Sequence, residues 1–98
     1  MNNNLINLCR AAFKTRKAVI GSQLIPSVQS KKVYIVIICE SCGKNRRKKL
    51  EDKCRFYDIP CRILPESVFS QITPWDVQSF GISDKNLANV MIRESEGS

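Results

Sequence analysis

The chain has 98 residues, room for one domain with one hydrophobic core and too few for two. At 43 % hydrophobic and 26 % charged it has an ordinary globular composition, which excludes an intrinsically disordered chain. Sixteen basic residues against nine acidic ones give a net charge of +7 and a pI near 9.4, so the surface attracts polyanions, with nucleic acid the leading candidate.

Leu5, Leu8, Cys9, Ala12 and Phe13 recur at helical spacing, which predicts an amphipathic helix over about Asn3 to Lys14, with asparagines at its start as caps. "KAVI" then reads as a short strand ended by Gly21. Ser22 is the expected cap of a second helix facing inward through Leu24, Ile25 and Val28, with Pro26 restricting where that helix begins. "VYIVIIC", Val33 to Cys39, is a continuous β-branched and aromatic run, the pattern of a central strand buried on both faces.

Beyond Gly43 the period becomes helical: Leu50, Cys54 and Tyr57 share one face, while Arg46, Arg47, Lys48, Lys49, Lys53 and Arg55 mostly lie outside it. Asp58 and Pro60 end that helix, and a strand is expected at about Cys61 to Leu64. A short helix follows from Glu66 to about Ile72, closed by Pro74. The last strand is expected within Val77 to Ile82. Ser83 or Asp84 caps a final helix with Leu87, Val90 and Met91 inward, and the chain turns polar from about residue 93. Strands alternating with helices of these lengths predict an α/β fold.

Five cysteines, at 9, 39, 42, 54 and 61, are an odd number for a disulfide framework. No histidine is present, so a zinc site would need Cys39, Cys42, Cys54 and Cys61 to converge, and the helix end and proline turn between the last two disfavour that. A strand running through Cys39-x-x-Cys42 into a helix suggests a redox motif, but Glu40 opposes a thiolate there. The cysteines are expected to pack as small apolar residues. Without histidine there is no ordinary nucleophile and base pair, and the isolated glycines form no phosphate-binding loop. The chain is expected to be no enzyme and to need no metal, cofactor or small-molecule substrate. No apolar run reaches the ~18 residues of a membrane span, and "MNNNLINLCR" lacks a signal-peptide pattern, so a cytoplasmic address and no membrane partner are expected.

The segments "RKAVIGSQLI", "VYIVIICESC", "RRKKLEDKCRFYDIPCRIL" and "ISDKNLA" together resemble the small ribosomal protein family named L-seven-Ae, which binds kink-turn RNA, and most of all its bacterial YlxQ-type branch. The resemblance covers nearly the whole chain. It implies a three-layer α/β/α sandwich with a mixed sheet of about four strands, in a single RNA-binding domain over residues 1–98. It also implies a structured, bent RNA as partner, of ribosomal or translation-associated origin. A monomer is the expected state.

In that family the RNA is gripped at a Gly-x-Asn-Glu-x-x-Lys pattern at the second helix and by the loop entering the fourth helix. The pattern falls here on Gly21, Ser22, Gln23, Leu24, Ile25, Pro26 and Ser27, and only the glycine is kept. Gln23 can still meet a base edge, whereas Leu24 has no carboxylate and Ser27 no charge. A polar bond to RNA is worth about 1 to 3 kcal/mol, so the departures from the pattern imply relaxed specificity. Leu64, Pro65, Glu66 and Ser67 occupy the second loop, and Lys17 stands where the YlxQ-type branch has a basic residue. With Lys14 and Arg16 alongside it, the expected docking place is the lip where the Lys17 segment meets the amides after Gly21. The alternative is a protein-interaction scaffold of the same fold, in which Leu24 and Pro26 present apolar surface.

Overall fold

The computed structural model describes residues 3–72 and 77–96. Helices α1 (Asn3–Lys14), α2 (Leu24–Gln29), α3 (Lys44–Phe56), α4 (Glu66–Ile72) and α5 (Lys85–Glu96) alternate with strands β1 (Ala18–Val19), β2 (Ile35–Cys39), β3 (Cys61–Leu64) and β4 (Ser79–Ile82). The strands form one mixed sheet in the order β1-β4-β2-β3. β4 runs antiparallel to both β1 and β2, and β3 is parallel to β2.

Every residue of β2 is buried, because the strand lies inside the sheet and both faces are covered. Ile35, Ile37 and Cys39 point into a core completed by Leu5, Cys9 and Ala12 of α1, Val68 and Phe69 of α4, and Ala88 and Met91 of α5. Val36 and Ile38 point the other way, into a second core with Leu24 and Val28 of α2 and Leu50 and Cys54 of α3. The molecule is therefore the expected α/β/α sandwich. Phe80 centres the first core, with Phe13 meeting it edge-on at a centroid distance of 4.9 Å and Phe69 tilted at 5.5 Å.

The elements differ from expectation at their ends. Strand pairing begins later than the apolar runs suggest, at Ile35 and Ser79, although the amide of Tyr34 still bonds Ile82 O at 2.8 Å. Ser22 does not cap α2: residues 21–23 form a 3-10 turn with no side-chain cap, and the helix starts at Leu24. Asp84, not Ser83, caps α5, its Oδ1 accepting from the Leu87 amide at 3.0 Å. That helix carries the polar residues from 93 on to Glu96. Pro74 and the cap expected before α1 lie outside the described residues.

Three helices close with the same device. The amides of Lys17, Lys32 and Ile59 reach back five residues to the carbonyls of Ala12, Ser27 and Cys54. The residues before them, Arg16, Lys31 and Asp58, adopt φ of 60°, 55° and 60°. These are Schellman closures, with side-chain-bearing residues where glycine is the usual choice. Among the described residues no helix is long and apolar enough to cross a membrane.

Candidate nucleic-acid interface

The ends of the strands decide which of the expected site residues can meet. β1 pairs Ala18 with Ile82 and Val19 with Gly81, so Lys17 lies at one end of the strand and Gly21 beyond the other. At about 3.3 Å per residue the two are roughly 13 Å apart along the chain. Lys14, Arg16 and Lys17 thus gather at the end of the sheet where β4 stops. There the Lys17 carbonyl accepts from the Ser83 amide, and its Nζ pairs with Asp84 Oδ2 at 2.5 Å. The lip expected from Lys17 and the Gly21 amides does not form, because β1 separates them and an acidic residue holds the lysine. The Asp84 carboxyl is in turn held below the usual carboxylate range, first by the Lys17 hydrogen bond and then by the Leu87 amide.

The opposite end of the sheet brings other groups together. Gly21 follows β1, Gln78 precedes β4, and α3 begins a few residues after β2, so its Arg46 stands over the same end. Ile20, Gly21, Arg46, Val77, Gln78 and Ser79 line an open groove of about 260 Å³. Gly21 has φ of 67°, a conformation L side chains rarely adopt, while among the described residues no atom beyond its chain neighbours lies within 4 Å of where its Cβ would be. Glycine is demanded there by the backbone turn, and no described residue fills the space above it. Ser22 and Gln23 continue from Gly21 as exposed residues. Lys17 pairs with Asp84 and Arg47 with Glu51 at 3.6 Å, whereas Arg46 at the groove has no carboxylate partner among the described residues.

The second expected loop stands at the same sheet end, on the far edge. Leu64 pairs with Cys39, the Glu40 amide bonds Leu64 O at 2.9 Å, and the Glu66 amide bonds Glu40 Oε1 at 3.3 Å. Three strand spacings of about 4.8 Å put it roughly 14 Å from Gly21. Pro65 is half-buried and Glu66 and Ser67 are exposed, but Leu64 is buried. Leu24 is 0 % exposed and packs in the second core. Its side chain is closed to RNA, and it does not supply the apolar surface of the scaffold alternative. Ser27 is half-buried one turn into α2, away from the groove lining. Arg46 belongs to the basic block visible in the sequence, but its place beside Gly21 was not; Gln78 had no signal of its own.

The cysteines separate in the same way. Cys39 belongs to the first core and Cys42 to the second, on opposite faces of the sheet, so the Cys-x-x-Cys spacing does not converge on one ligand. Cys61 and Cys54 share a hydrogen bond that lowers the Cys61 pKa and raises that of Cys54, while burial pushes Cys9 up to about 12.

No protein-family model matches the chain. An RNA-binding protein YlxQ of Enterococcus faecium is 29 % identical over 85 residues, covering 85 % of this chain and 82 % of that one. The RNA-binding protein YlxQ of Bacillus subtilis is 34 % identical over 50 residues, half of each chain. These relatives are named as binding proteins, in accord with the non-enzymatic reading of the sequence. Among solved structures, a Bacillus halodurans protein of unknown function superposes with a TM-score of 0.85 at 24 % identity, over 94 % of this chain and 96 % of the other. A Giardia lamblia 15.5kD RNA binding protein does so with a TM-score of 0.75 at 14 % identity, over 99 % and 92 %. Over most of its length the chain is thus similar to a protein named RNA-binding protein YlxQ, and it shares its α/β/α fold with both solved structures.

Proposed function

We propose that the chain is a single-domain, monomeric RNA-binding protein of the cytoplasm that holds a bent RNA of the kink-turn type with relaxed specificity, as a ribosomal or translation-associated component. The observation that carries this reading is the open groove in which Gly21, Arg46 and Gln78 meet at one end of the sheet. The groove combines a backbone turn and a guanidinium that no described residue covers or pairs with, and an amide side chain, the groups that engage a phosphate and a base edge. The net charge of +7 supplies the attraction, and the names of the similar bacterial proteins favour RNA among polyanions.

In this reading Gly21, Ser22, Gln23, Arg46 and Gln78 form the principal contact. The exposed Glu66 and Ser67, with Pro65, form a flank that a wide RNA reaches across the sheet end. Lys14 and Arg16, exposed at the other end, contribute long-range attraction. With Gln23 and Leu24 in place of the Asn-Glu pair, base readout is weaker than in the family pattern, so shape and phosphate contacts dominate. The experiment is a titration against a kink-turn RNA and an unbent duplex of equal length, at two salt concentrations. Tighter binding of the bent RNA at both salts is expected, and equal affinities at both would remove the reading.

A further inference from the structure

We propose that the solvent face of α3 is a second RNA contact, a track for an unpaired strand with Phe56 as a base-stacking platform. The inference rests on the reading of the chain as an RNA-binding protein, but it uses a surface outside the groove. Leu50 and Cys54 turn α3 toward the second core. On another face, Asn45, Lys49, Lys53 and Phe56 recur four, four and three residues apart, which puts them in one stripe, with Lys48 beside it. With Asp52 and Tyr57 they line a shallow crevice of about 600 Å³.

Phe56 is 80 % exposed, the highest value among the exposed large hydrophobic residues described. Its ring meets Tyr57 edge to face, with centroids 4.8 Å apart and planes at 71°, which supports it on one side and leaves most of it in water. A lone exposed aromatic is ordinary on a protein surface. Here it ends a row of three lysines that no carboxylate pairs with among the described residues. An aromatic platform beside a line of cations is the composition that binds single strands, the ring stacking on a base and the cations following the phosphates. A duplex has no free base face for such a ring, so the occupant is an unpaired strand.

The dimensions agree. From residue 45 to residue 56 the stripe is about 16 Å long at 1.5 Å per helical residue. That is about five steps of a stacked strand at roughly 3.4 Å each. Arg46 stands in the first turn of the same helix and lines the groove at the sheet end. A strand leaving a folded RNA seated in the groove therefore meets α3 at its start and runs toward Phe56.

The test uses a fluorescently labelled oligouridine decamer and the full chain. Phe56→Ala is expected to weaken decamer binding about tenfold while leaving affinity for an unbent duplex unchanged. Phe56→Trp is expected to keep the affinity and to lose tryptophan fluorescence on binding. Lys49→Ala and Lys53→Ala are each expected to reduce the slope of log K against log salt by about 0.7. Because Phe56 is exposed, circular dichroism should show these variants folded. Decamer binding that is undetectable in the wild type, or indifferent to both Phe56 variants, overturns the track. Bent-RNA binding that persists alongside that result leaves the groove reading standing. Phe56-dependent decamer binding without any preference for bent RNA supports the track and removes the groove.

Discussion

Leu24 lies so close over Gly81 that a Cβ on the glycine would stand 2.9 Å from Leu24 Cδ1, and 2.9 Å from Val33 Cγ1 as well. This approach seats α2 on the sheet and so positions the turn at Gly21. Leu24→Ala should cost about 3 kcal/mol, from reduced burial and the cavity left behind. Gly81→Ala should destabilise too, because Val33 is held close to its own backbone and cannot swing aside. Gly21→Ala meets no atom of the described residues but is strained at φ of 67°, and should cost about 1 kcal/mol. Urea denaturation followed by circular dichroism orders the three, and the ranking fails if Gly21→Ala proves the most damaging.

Glycine substitution should have the opposite sign at a helix end. Lys31 occupies the left-handed position after α2 at φ of 55°, exposed and without an ion pair among the described residues. Lys31→Gly relieves the Cβ crowding of that conformation and should raise stability by up to about 1 kcal/mol. A lower urea midpoint for this variant would mean that the lysine side chain does more at that turn than its surroundings indicate.

The pairing of Lys17 with Asp84 sets an acid limit. The Asp84 carboxyl titrates below its ordinary value of 3.8 in the folded chain, so its contribution is fully present above that value and is lost as the pH falls through the folded pKa. Asp84→Asn removes the ion pair but keeps a cap oxygen for the Leu87 amide. The variant should be less stable than the wild type at neutral pH, and the two should converge as the pH drops below about 4. Parallel curves across that range would show that the pair has no energetic role.

The thiols should differ in reactivity in a set order. Cys61 is half-buried and its pKa is lowered by the hydrogen bond from Cys54, so it should alkylate first. Cys9 is buried, with its pKa pushed up to about 12, and should react only on unfolding. Mass spectrometry of iodoacetamide adducts against time reads this order. Early modification of Cys39 and Cys42 together would contradict their placement in separate cores.

The elements were legible because each carries its own periodicity. The unbroken run ending at Cys39 identified the central strand, and the spacing of Leu50, Cys54 and Tyr57 gave α3 its buried face. The site was less legible, because it is made by strand order. Nothing local to Gln78 announces that β4 will pair with β1 on one side and β2 on the other, yet that pairing is what brings Gln78 beside Gly21 and Arg46. The misplacement of Lys17 has the same origin. Four residues from Gly21 in sequence looks adjacent, but an extended β1 carries the two to different ends of the sheet. Leu24 carries two signals that disagree: helical spacing turns it inward, which is where it packs, while the family pattern puts it at a polar contact position that the close approach to Gly81 closes off.

That difference between neighbours in sequence and neighbours in space separates two cations in RNA binding. Lys17 has its charge matched by Asp84, whose carboxylate repels an incoming phosphate. Arg46 has no such partner among the described residues and lines the groove. Arg46→Ala should therefore weaken binding of a bent RNA about tenfold and lower the salt slope by about 1, the signature of one phosphate neutralised by one side chain. Lys17→Ala should leave the slope nearly unchanged and show its effect in the urea midpoint. Thermal melts of both variants, run beside the RNA titrations, keep folding apart from binding. If Lys17→Ala costs more RNA affinity than Arg46→Ala while remaining as stable as the wild type, the RNA docks at the Asp84 end of the sheet, because only there would freeing the carboxylate repel it.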